Sequence, residues 1–186
     1  LVVLHALTAV ALWISLGSLV YLSGALAVDS NEVVKFDYRQ RAKDFFILSK
    51  PIIVLLLLVT TYSGLVAGSK AWPSASLTFW TLLGGTLAAA GSSALNQYID
   101  RELDKNMQRT SKRPLADGRL TAAEGLSYGL ALCLTSYYVM AGFVNLLAAL
   151  LSLAGIFYYV FFYSVWLKKA TVQNIVIGGG AGAIPP

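Results

Sequence analysis

The sequence has little charge. Only 12% of its 186 residues are Asp, Glu, Lys or Arg, whereas 57% are hydrophobic and the mean hydropathy is +0.68. Soluble domains carry about 25% charged residues, so this chain is too apolar to be solvated by water alone. The composition excludes an ordinary soluble domain and predicts a membrane protein.

Cysteine is almost absent, and so are the marks of a secretory leader. The one cysteine, Cys133, lies inside an apolar run, which predicts a core residue and neither a disulfide nor a cysteine-based metal cluster. The first apolar run lacks the leading basic residues of a signal peptide, and the chain does not begin with Met. We therefore expect a fragment that is truncated at both ends.

Apolar runs of about 20 residues alternate with charged segments, and runs of that length cross ~30 Å of hydrocarbon as helices. Almost all charges fall into residues 29–50 and 100–124. The predicted fold is all-α, a polytopic transmembrane helix bundle. Its predicted spans are 1–28, 51–68, 77–99, 121–140 and 145–167, with a sixth that opens at 171. The predicted domains are the first span, a polar linker with solvated charges over 29–44, and a helical domain over 45–186.

The distribution of bases predicts the topology. If residues 100–119 are cytoplasmic, the linker and Lys168-Lys169 are cytoplasmic too, and Lys70 is the one base of fourteen on the other side. This arrangement satisfies the positive-inside rule. We expect a multi-pass protein of a bacterial or archaeal plasma membrane, with the acidic residues near position 100 facing the cytoplasm. Because the membrane topology explains the excess of Lys and Arg residues, we do not expect nucleic acid to be a partner.

Three oxygen-bearing side chains follow one another at intervals of four residues, namely Asn96, Asp100 and Asp104. In an α-helix such positions drift only about 40° around the axis and lie roughly 6 Å apart. Both acids come near the C-terminal end of their helix, where the macrodipole disfavours carboxylates and something positive should neutralise them. Mg²⁺ takes oxygen ligands of this kind together with substrate phosphate, so the pattern predicts a metal site.

A basic loop follows the oxygen-bearing residues and contributes Arg109, Lys112, Arg113 and Arg119. The planar guanidinium group of arginine suits phosphate oxygens, so acids and bases together favour a diphosphate site. Lys50, which precedes Pro51 at the start of a span, either reaches the same phosphate or extends to the membrane interface.

Several motifs in one order resemble those of the UbiA-type intramembrane prenyltransferases, and most closely those of the members that farnesylate haem. The resemblance covers about residues 45–186. Its motifs are Asn96-x-x-x-Asp100-x-x-x-Asp104, Met107-x-Arg109-Thr110-x-x-Arg113-Pro114, Gly118-Arg119, Ser49-Lys50-Pro51, Tyr163-Ser164-x-Trp166-Leu167-Lys168-Lys169, and Gln173-Asn174 through Pro185-Pro186.

The resemblance implies a helical bundle around a central cavity, and transfer of a farnesyl group from farnesyl diphosphate to a vinyl group of haem B, which gives haem O. It also assigns residues to roles. Asn96, Asp100 and Asp104 would hold Mg²⁺ and diphosphate, Arg109, Lys112 and Arg113 would clamp the phosphates, and Lys50 and Lys168 would line the same site.

Two departures from the family pattern accompany the resemblance. Ile52 stands where many members have an arginine after the Lys-Pro pair. The second acidic motif of the family follows the sixth span and lies beyond this chain. We therefore expect residues 1–186 alone to be inactive.

The start of the chain has a separate interpretation. Residues 4–13 resemble the last transmembrane helix of haem A synthases, in which a histidine ligates haem. The resemblance makes His5 a candidate haem ligand and a fusion of the two enzymes one interpretation, and the alternative is that His5 is an interfacial residue. Three alternatives stay open for the chain as a whole. They are a prenyltransferase that acts on a quinone precursor or a chlorophyll-type ring, a transporter that uses the acids as an ion site, and a haem-binding module without catalysis.

Overall fold

The computed structural model describes residues 37–69, 71–168 and 174–183. Within these ranges the chain is helical and contains no strand, which confirms the all-α prediction. The helices are α1 (Tyr38–Leu48), α2 (Pro51–Ser69), α3 (Ala75–Lys105), α4 (Ala122–Phe143), α5 (Leu146–Phe157) with its direct continuation as a π-helix (Tyr158–Leu167), α6 (Asn174–Gly178) and α7 (Gly180–Ala183). The predicted span 1–28 and His5 lie outside the described residues.

The helix boundaries follow from local chemistry. The Ser74 hydroxyl caps α3 by accepting from the backbone N–H of Leu77 at 3.2 Å. A capping box of Thr121 and Glu124 starts α4, and the Asn145 side chain starts α5. Each cap satisfies backbone N–H groups that have no partner inside the helix.

Three helices among the described residues are long and apolar enough to cross a membrane: Pro51–Ser69, Ala122–Phe143 and Leu146–Leu167. They match three predicted spans within three residues at either end, and the protein is an integral membrane protein. Side chains such as Ile52, Leu55 and Leu56 are exposed on the outer face of α2, where they contact lipid.

Helix α3 contains the predicted span over residues 77–99, but it is not one of the three described helices that are long and apolar enough to cross a membrane. Its small and polar residues face other helices, since the buried positions run without interruption from Ala90 to Gln97. The backbones of α3 and α4 approach closely, because a Cβ on Gly91 would lie 2.9 Å from the carbonyl oxygen of Gly129. Small residues at a helix interface permit such an approach in membranes. Cys133 is buried at this contact, as predicted.

Most of the described part of the predicted linker, residues 37–44, belongs to a helix, and six of these eight residues are exposed. Residues 38–48 form α1, which Asp37 caps by accepting from the backbone N–H of Arg39 at 3.0 Å. Asp44 and Leu48 are buried, and Leu48 packs in a cluster with Ala94 of α3 and two residues of the loop after it. The polar sequence gave no sign of a packed helix, because the charge of the buried Asp44 is neutralised by Arg119, which is distant in the sequence.

The end of the chain is described only in part. The predicted sixth span opens at residue 171, and residues 174–183 within it form the short helices α6 and α7. Tyr158 of the π-helix donates its hydroxyl to the carbonyl oxygen of Ile177 at 2.8 Å. This contact places α6 beside the π-helix.

Candidate active site

The three oxygen-bearing residues lie in the last turns of α3 and are all buried. Asn96, Asp100 and Asp104 are 5%, 2% and 4% exposed. The Asn96 amide nitrogen donates to Oδ2 of Asp100 at 3.1 Å, so these two side chains share one face of the helix. Buried carboxylates are stable only when cations or hydrogen-bond donors compensate their charge.

Two cations of the chain itself neutralise the two carboxylates. Lys168 Nζ lies 2.6 Å from Oδ2 of Asp100, and Arg113 Nη1 lies 2.6 Å from Oδ2 of Asp104. The positive charge expected near the C-terminal end of α3 therefore comes from two distant parts of the chain. Lys168 lies at the end of the π-helix, and Arg113 lies in the loop after α3. Of the predicted site residues, the structure brings these two into contact with the acids.

Lys50 is the third cation of the cluster. It joins α1 to α2 with a left-handed φ of 49°, a conformation that few residues other than glycine adopt. Its ammonium group donates to Oδ1 of Asn96 at 3.2 Å. The pKa of Lys50 is lowered to about 8, mainly by burial and also by the nearby Arg113, whereas Asp100 and Asp104 oppose the shift. All the charged members of the site thus lie within electrostatic reach of this lysine.

Ser164 belongs to the site although the sequence analysis gave it no role. Its hydroxyl accepts from the Asn96 amide nitrogen at 2.9 Å and donates to the carbonyl oxygen of Tyr159 at 2.9 Å. The donation spans five residues, as in a π-helix, in which hydrogen bonds join residues i and i+5. Hydrophobic periodicity does not reveal a π-helix, so only the family motif at Tyr163-Ser164 pointed to this region.

One oxygen of the cluster is unsatisfied. Oδ1 of Asp100 is buried and has no hydrogen-bond partner in the part of the chain that the structure describes. Leaving a buried acceptor unpaired costs about 1–3 kcal/mol, and more for a charged group. A bound cation at this oxygen would remove that cost.

The oxygen atoms of these side chains suit a hard divalent cation that also binds water or substrate oxygens. Two carboxylates and an amide are present, and the described residues contain no group of three His, Cys, Asp or Glu side chains that could enclose a metal by themselves. Mg²⁺ is commonly held by one or two carboxylates, with water and substrate phosphate completing its octahedron. The residues therefore suit a metal that arrives with a phosphorylated substrate.

Arg109 and Lys112 lie apart from the acids. Both side chains are exposed in the loop between α3 and α4, and neither makes a hydrogen bond or ion pair with the acids in the described structure. Arg119 pairs instead with the buried Asp44 of α1 and with Asp117, and it donates to the carbonyl oxygen of Lys112 at 2.8 Å. The predicted clamp by Arg109 and Lys112 stays a prediction.

An apolar cavity of about 610 Å³ begins at Lys50 and runs between α2, α3 and α5. Ligand cavities in proteins commonly measure about 300–1,000 Å³. Its walls are mostly Leu, Ile, Val, Ala and Gly side chains, and Tyr159 and Ser93 line it as well. Lys50 lines the cavity and also donates to Asn96, so the charged cluster adjoins the cavity at this lysine. The arrangement can hold a molecule with an anionic head and a long apolar tail.

Comparison with known proteins gives a consistent result. The model of the UbiA prenyltransferase family matches residues 57–186. A protein of Roseiflexus sp. (strain RS-1) named protoheme IX farnesyltransferase is 49% identical over 144 residues, which are 77% of this chain and 27% of that protein. A protein of Trichodesmium erythraeum with the same name is 48% identical over 144 residues, 77% of this chain and 44% of that protein. The chain thus spans less than half the length of these curated relatives, and no solved structure matches it.

Proposed function

Because the chain belongs to the UbiA prenyltransferase family, we propose that the protein transfers a farnesyl group from farnesyl diphosphate to a vinyl group of haem B and so forms haem O. The single observation that carries the proposal is that Lys50 belongs both to the charged cluster and to the wall of the apolar cavity. An allylic diphosphate has the matching form, since a strongly anionic head is joined to an apolar tail. The name of the relatives supports haem as the acceptor.

The charge of the cluster suits a diphosphate. Lys50, Arg113 and Lys168 bring three cations to two carboxylates, so an anionic ligand completes the balance. Arginine presents a planar pair of donors to phosphate oxygens, and lysine acts as a point charge. Arg109 and Lys112 on the exposed loop are proposed to close over the outer phosphate.

Mg²⁺ is the proposed metal, and Asn96, Asp100 and Asp104 are its proposed ligands. The support is the unpaired Oδ1 of Asp100 beside an amide and a second carboxylate. When bound, the metal would act as a Lewis acid that stabilises the negative charge on the leaving diphosphate.

The side chains of the protein perform the remaining tasks. The cations of Lys50, Arg113 and Lys168 stabilise the diphosphate as the allylic C–O bond breaks and its electron pair leaves with the oxygen. The vinyl electrons of haem form the new C–C bond to C1 of the isoprenoid. A water molecule then delivers hydroxide to the carbon left positive and releases a proton. The apolar cavity keeps water away from the allylic carbon until the acceptor has reacted.

The location of the reaction follows from the distribution of bases. The loop between α3 and α4 carries most of the cations near the site, and the positive-inside rule favours the cytoplasmic face for such a loop. We propose that the diphosphate enters from the cytoplasm of a prokaryotic cell, while the tail lies within the membrane.

The decisive experiment is an assay of the complete protein in membranes with haem B, farnesyl diphosphate and Mg²⁺, followed by mass spectrometry of the haems. We expect Asp100→Asn and Asp104→Asn each to lower haem O formation at least about 100-fold, as is usual when a charge that stabilises the transition state is removed. Glu102→Gln is the matched control, because Glu102 lies on the same helix but is exposed and pairs with Lys105. Activity equal to the control in both variants would disprove the site.

The same assay tests the acceptor. A quinone precursor and a chlorophyll-type ring replace haem B in parallel reactions with the same donor. If either of these acceptors is prenylated and haem B is not, the protein is a prenyltransferase with that acceptor instead of haem.

A further inference from the structure

The connection between α1 and α2 consists of two residues, Ser49 and Lys50. The carbonyl oxygen of Lys50 accepts from the backbone N–H groups of Ile53 and Val54 at 3.0 Å and 3.1 Å, as the residue before a helix does. The backbone N–H of Lys50 donates to the carbonyl oxygen of Ile47 at 3.1 Å and so completes the end of α1. The backbone of Lys50 therefore belongs to both helices, and the direction of its side chain depends on how they meet.

Lysine is an unusual residue for this connection. A left-handed residue just after a helix is most often glycine, because a side chain makes that conformation less favourable. Lys50, with its φ of 49°, is the only residue other than glycine with a positive φ in the described part of the chain. Such a conformation persists only where the surrounding structure fixes it. The contacts that fix this turn therefore also fix the lysine.

Two side chains of α3 hold the turn at Leu48, the last residue of α1. Gln97 Nε2 donates to the carbonyl oxygen of Leu48 at 2.7 Å, and the hydroxyl of Ser93 donates to the same oxygen at 3.0 Å. The last carbonyl groups of a helix have no partner inside it, so this oxygen can accept both bonds. All three residues are buried, and water does not compete for the carbonyl.

The side chain of Lys50 is attached to the same part of α3. Its ammonium group donates to Oδ1 of Asn96 at 3.2 Å, and Asn96 directly precedes Gln97. One residue of α3 thus holds the backbone of the turn while its neighbour holds the tip of the lysine. Because only Ser49 separates Leu48 from Lys50, a shift of the Leu48 carbonyl moves the lysine as well.

We propose that Gln97 is a positioning residue for the diphosphate of the donor, and that it acts through the Leu48 carbonyl oxygen on Lys50. Ser93 supports the same carbonyl. This inference rests on the proposed function, in which Lys50 is one of three cations that bind the diphosphate. Gln97 does not itself line the cavity, so its effect on the donor is indirect.

The experiment measures binding of the donor to the complete protein in detergent. Titration calorimetry with S-farnesyl thiodiphosphate and Mg²⁺ gives a Kd that does not depend on the acceptor. Methionine has about the length of glutamine but donates no hydrogen bond. We expect Gln97→Met to raise this Kd about tenfold, the size of effect that follows when a hydrogen bond to a charged group is weakened.

Ser93→Ala removes the second donor to the Leu48 carbonyl and tests the mechanism even if the methionine variant folds poorly. We expect it to raise the Kd about threefold, because Gln97 still holds the carbonyl. The KM for haem B should stay within about twofold of the natural value in both variants, since the lysine is proposed to bind the donor alone.

Ser136→Ala is the matched control for a loss of stability. The hydroxyl of Ser136 is also buried and donates to a carbonyl oxygen of α3, that of Gly84, at 2.7 Å. It is not part of the cavity wall. We expect Ser136→Ala and Ser93→Ala to lower the Tm by similar amounts, whereas only Ser93→Ala changes the Kd. A merely structural role of Ser93 and Gln97 would change the Tm and leave the Kd of the folded protein as it is in the control.

The double variant Lys50→Met/Gln97→Met tests whether Gln97 acts through the lysine. Once the ammonium group is absent, the direction of the side chain at position 50 no longer matters to the phosphates. We therefore expect the double variant to bind the analogue as Lys50→Met does. A further tenfold loss would show that Gln97 acts on the donor by another route, and it would overturn the inference.

The assay of haem O formation separates this inference from the proposed function. If the natural protein forms haem O, and Gln97→Met and Ser93→Ala bind the analogue as tightly as the control, the inference is wrong and the proposed function stands. If the two variants bind weakly but the natural protein forms no haem O, the acceptor is wrong and the role of Gln97 stands. A natural protein that does not bind the analogue would refute both.

Discussion

At the scale of single residues, the ion pairs of the site stabilise buried charges. Lys168 and Arg113 neutralise Asp100 and Asp104 in the described structure, which keeps two buried carboxylates compatible with a folded protein. In the proposed reaction, the same cations would become available to phosphate oxygens once a metal had bound the carboxylates. Each cation would then have the double purpose of stability and binding.

This double purpose predicts the behaviour of Lys168→Met. The variant leaves the buried Asp100 without its cation, and an uncompensated buried acceptor lowers the free energy of unfolding by about 1–3 kcal/mol. The cost is smaller than for a fully buried pair, because the Lys168 side chain is 34% exposed. Because Mg²⁺ can compensate the same carboxylate, we expect the metal to raise the Tm of the variant more than that of the natural protein. Thermal unfolding of the complete protein in detergent, with and without Mg²⁺, measures both effects.

Lys105→Met is the control for that experiment. Lys105 lies one residue after Asp104 and pairs with the exposed Glu102, so its loss should change Tm little, as for most surface pairs. An equal response of Tm to Mg²⁺ in Lys168→Met and in the natural protein would contradict the double purpose.

Residue spacing predicted part of the site and could not predict the rest. The interval of four residues placed Asn96 and Asp100 on one helix face, and the structure shows them in contact. The partners of the acids come from 9 and 68 residues away, a separation that no local pattern encodes. The left-handed torsion of Lys50 depends on how α1 meets α2, which the sequence does not show.

At the scale of elements, hydrophobic length predicted the membrane-spanning helices well, but it predicted neither α1 nor the π-helical character of residues 158–167. Predicted spans began or ended within a few residues of α2, α4 and α5 because proline, capping side chains or charges mark those ends. Helix α1 was missed because its sequence is mostly polar. The π-helical character was missed because nine of the ten residues are aliphatic or aromatic and their order shows no periodicity that separates a π-helix from an α-helix.

The π-helix should be essential for the site. Its i to i+5 hydrogen bonds accommodate more residues per turn than an α-helix, and they bring Ser164 and Lys168 to α3. Deleting Phe161, an exposed residue, should restore α-helical bonding and rotate the following residues by about 100°. We expect the deletion to abolish haem O formation while the protein still inserts into the membrane.

Membrane extraction and the haem assay together measure that outcome. Phe161→Leu is the control, because it keeps the number of residues and an apolar side chain at a position that faces outward. If the deletion variant retained the activity of Phe161→Leu, the π-helix would have no part in placing Lys168.

At the scale of the whole molecule, the proposed topology makes a prediction about access. Trp72 lies in the short connection between α2 and α3, and Lys112 lies in the basic loop, and both are exposed. We expect a maleimide that cannot cross membranes to label Trp72→Cys in intact cells and Lys112→Cys only after permeabilisation. The natural cysteine, Cys133, is buried and gives a low background.

Labelling of Lys112→Cys in intact cells, and of Trp72→Cys only after permeabilisation, would show that the protein has the opposite orientation in the membrane. Labelling of both variants in permeabilised cells shows that each cysteine is reactive, so a negative result in intact cells reports location alone. The predicted haem A synthase-like segment and its His5 lie outside the described residues and remain predictions.

The close contact of Gly91 with Gly129 has a consequence for biogenesis. Helix α3 is a poor candidate for entering the lipid bilayer alone, because it carries serines, an asparagine and three carboxylates in its last four turns. Its neighbour α4 is apolar enough to enter by itself. Because the two backbones are in contact, lipid tails cannot lie between α3 and α4. We therefore expect the two helices to enter the membrane together as a hairpin, in which the polar residues of α3 are not exposed to hydrocarbon.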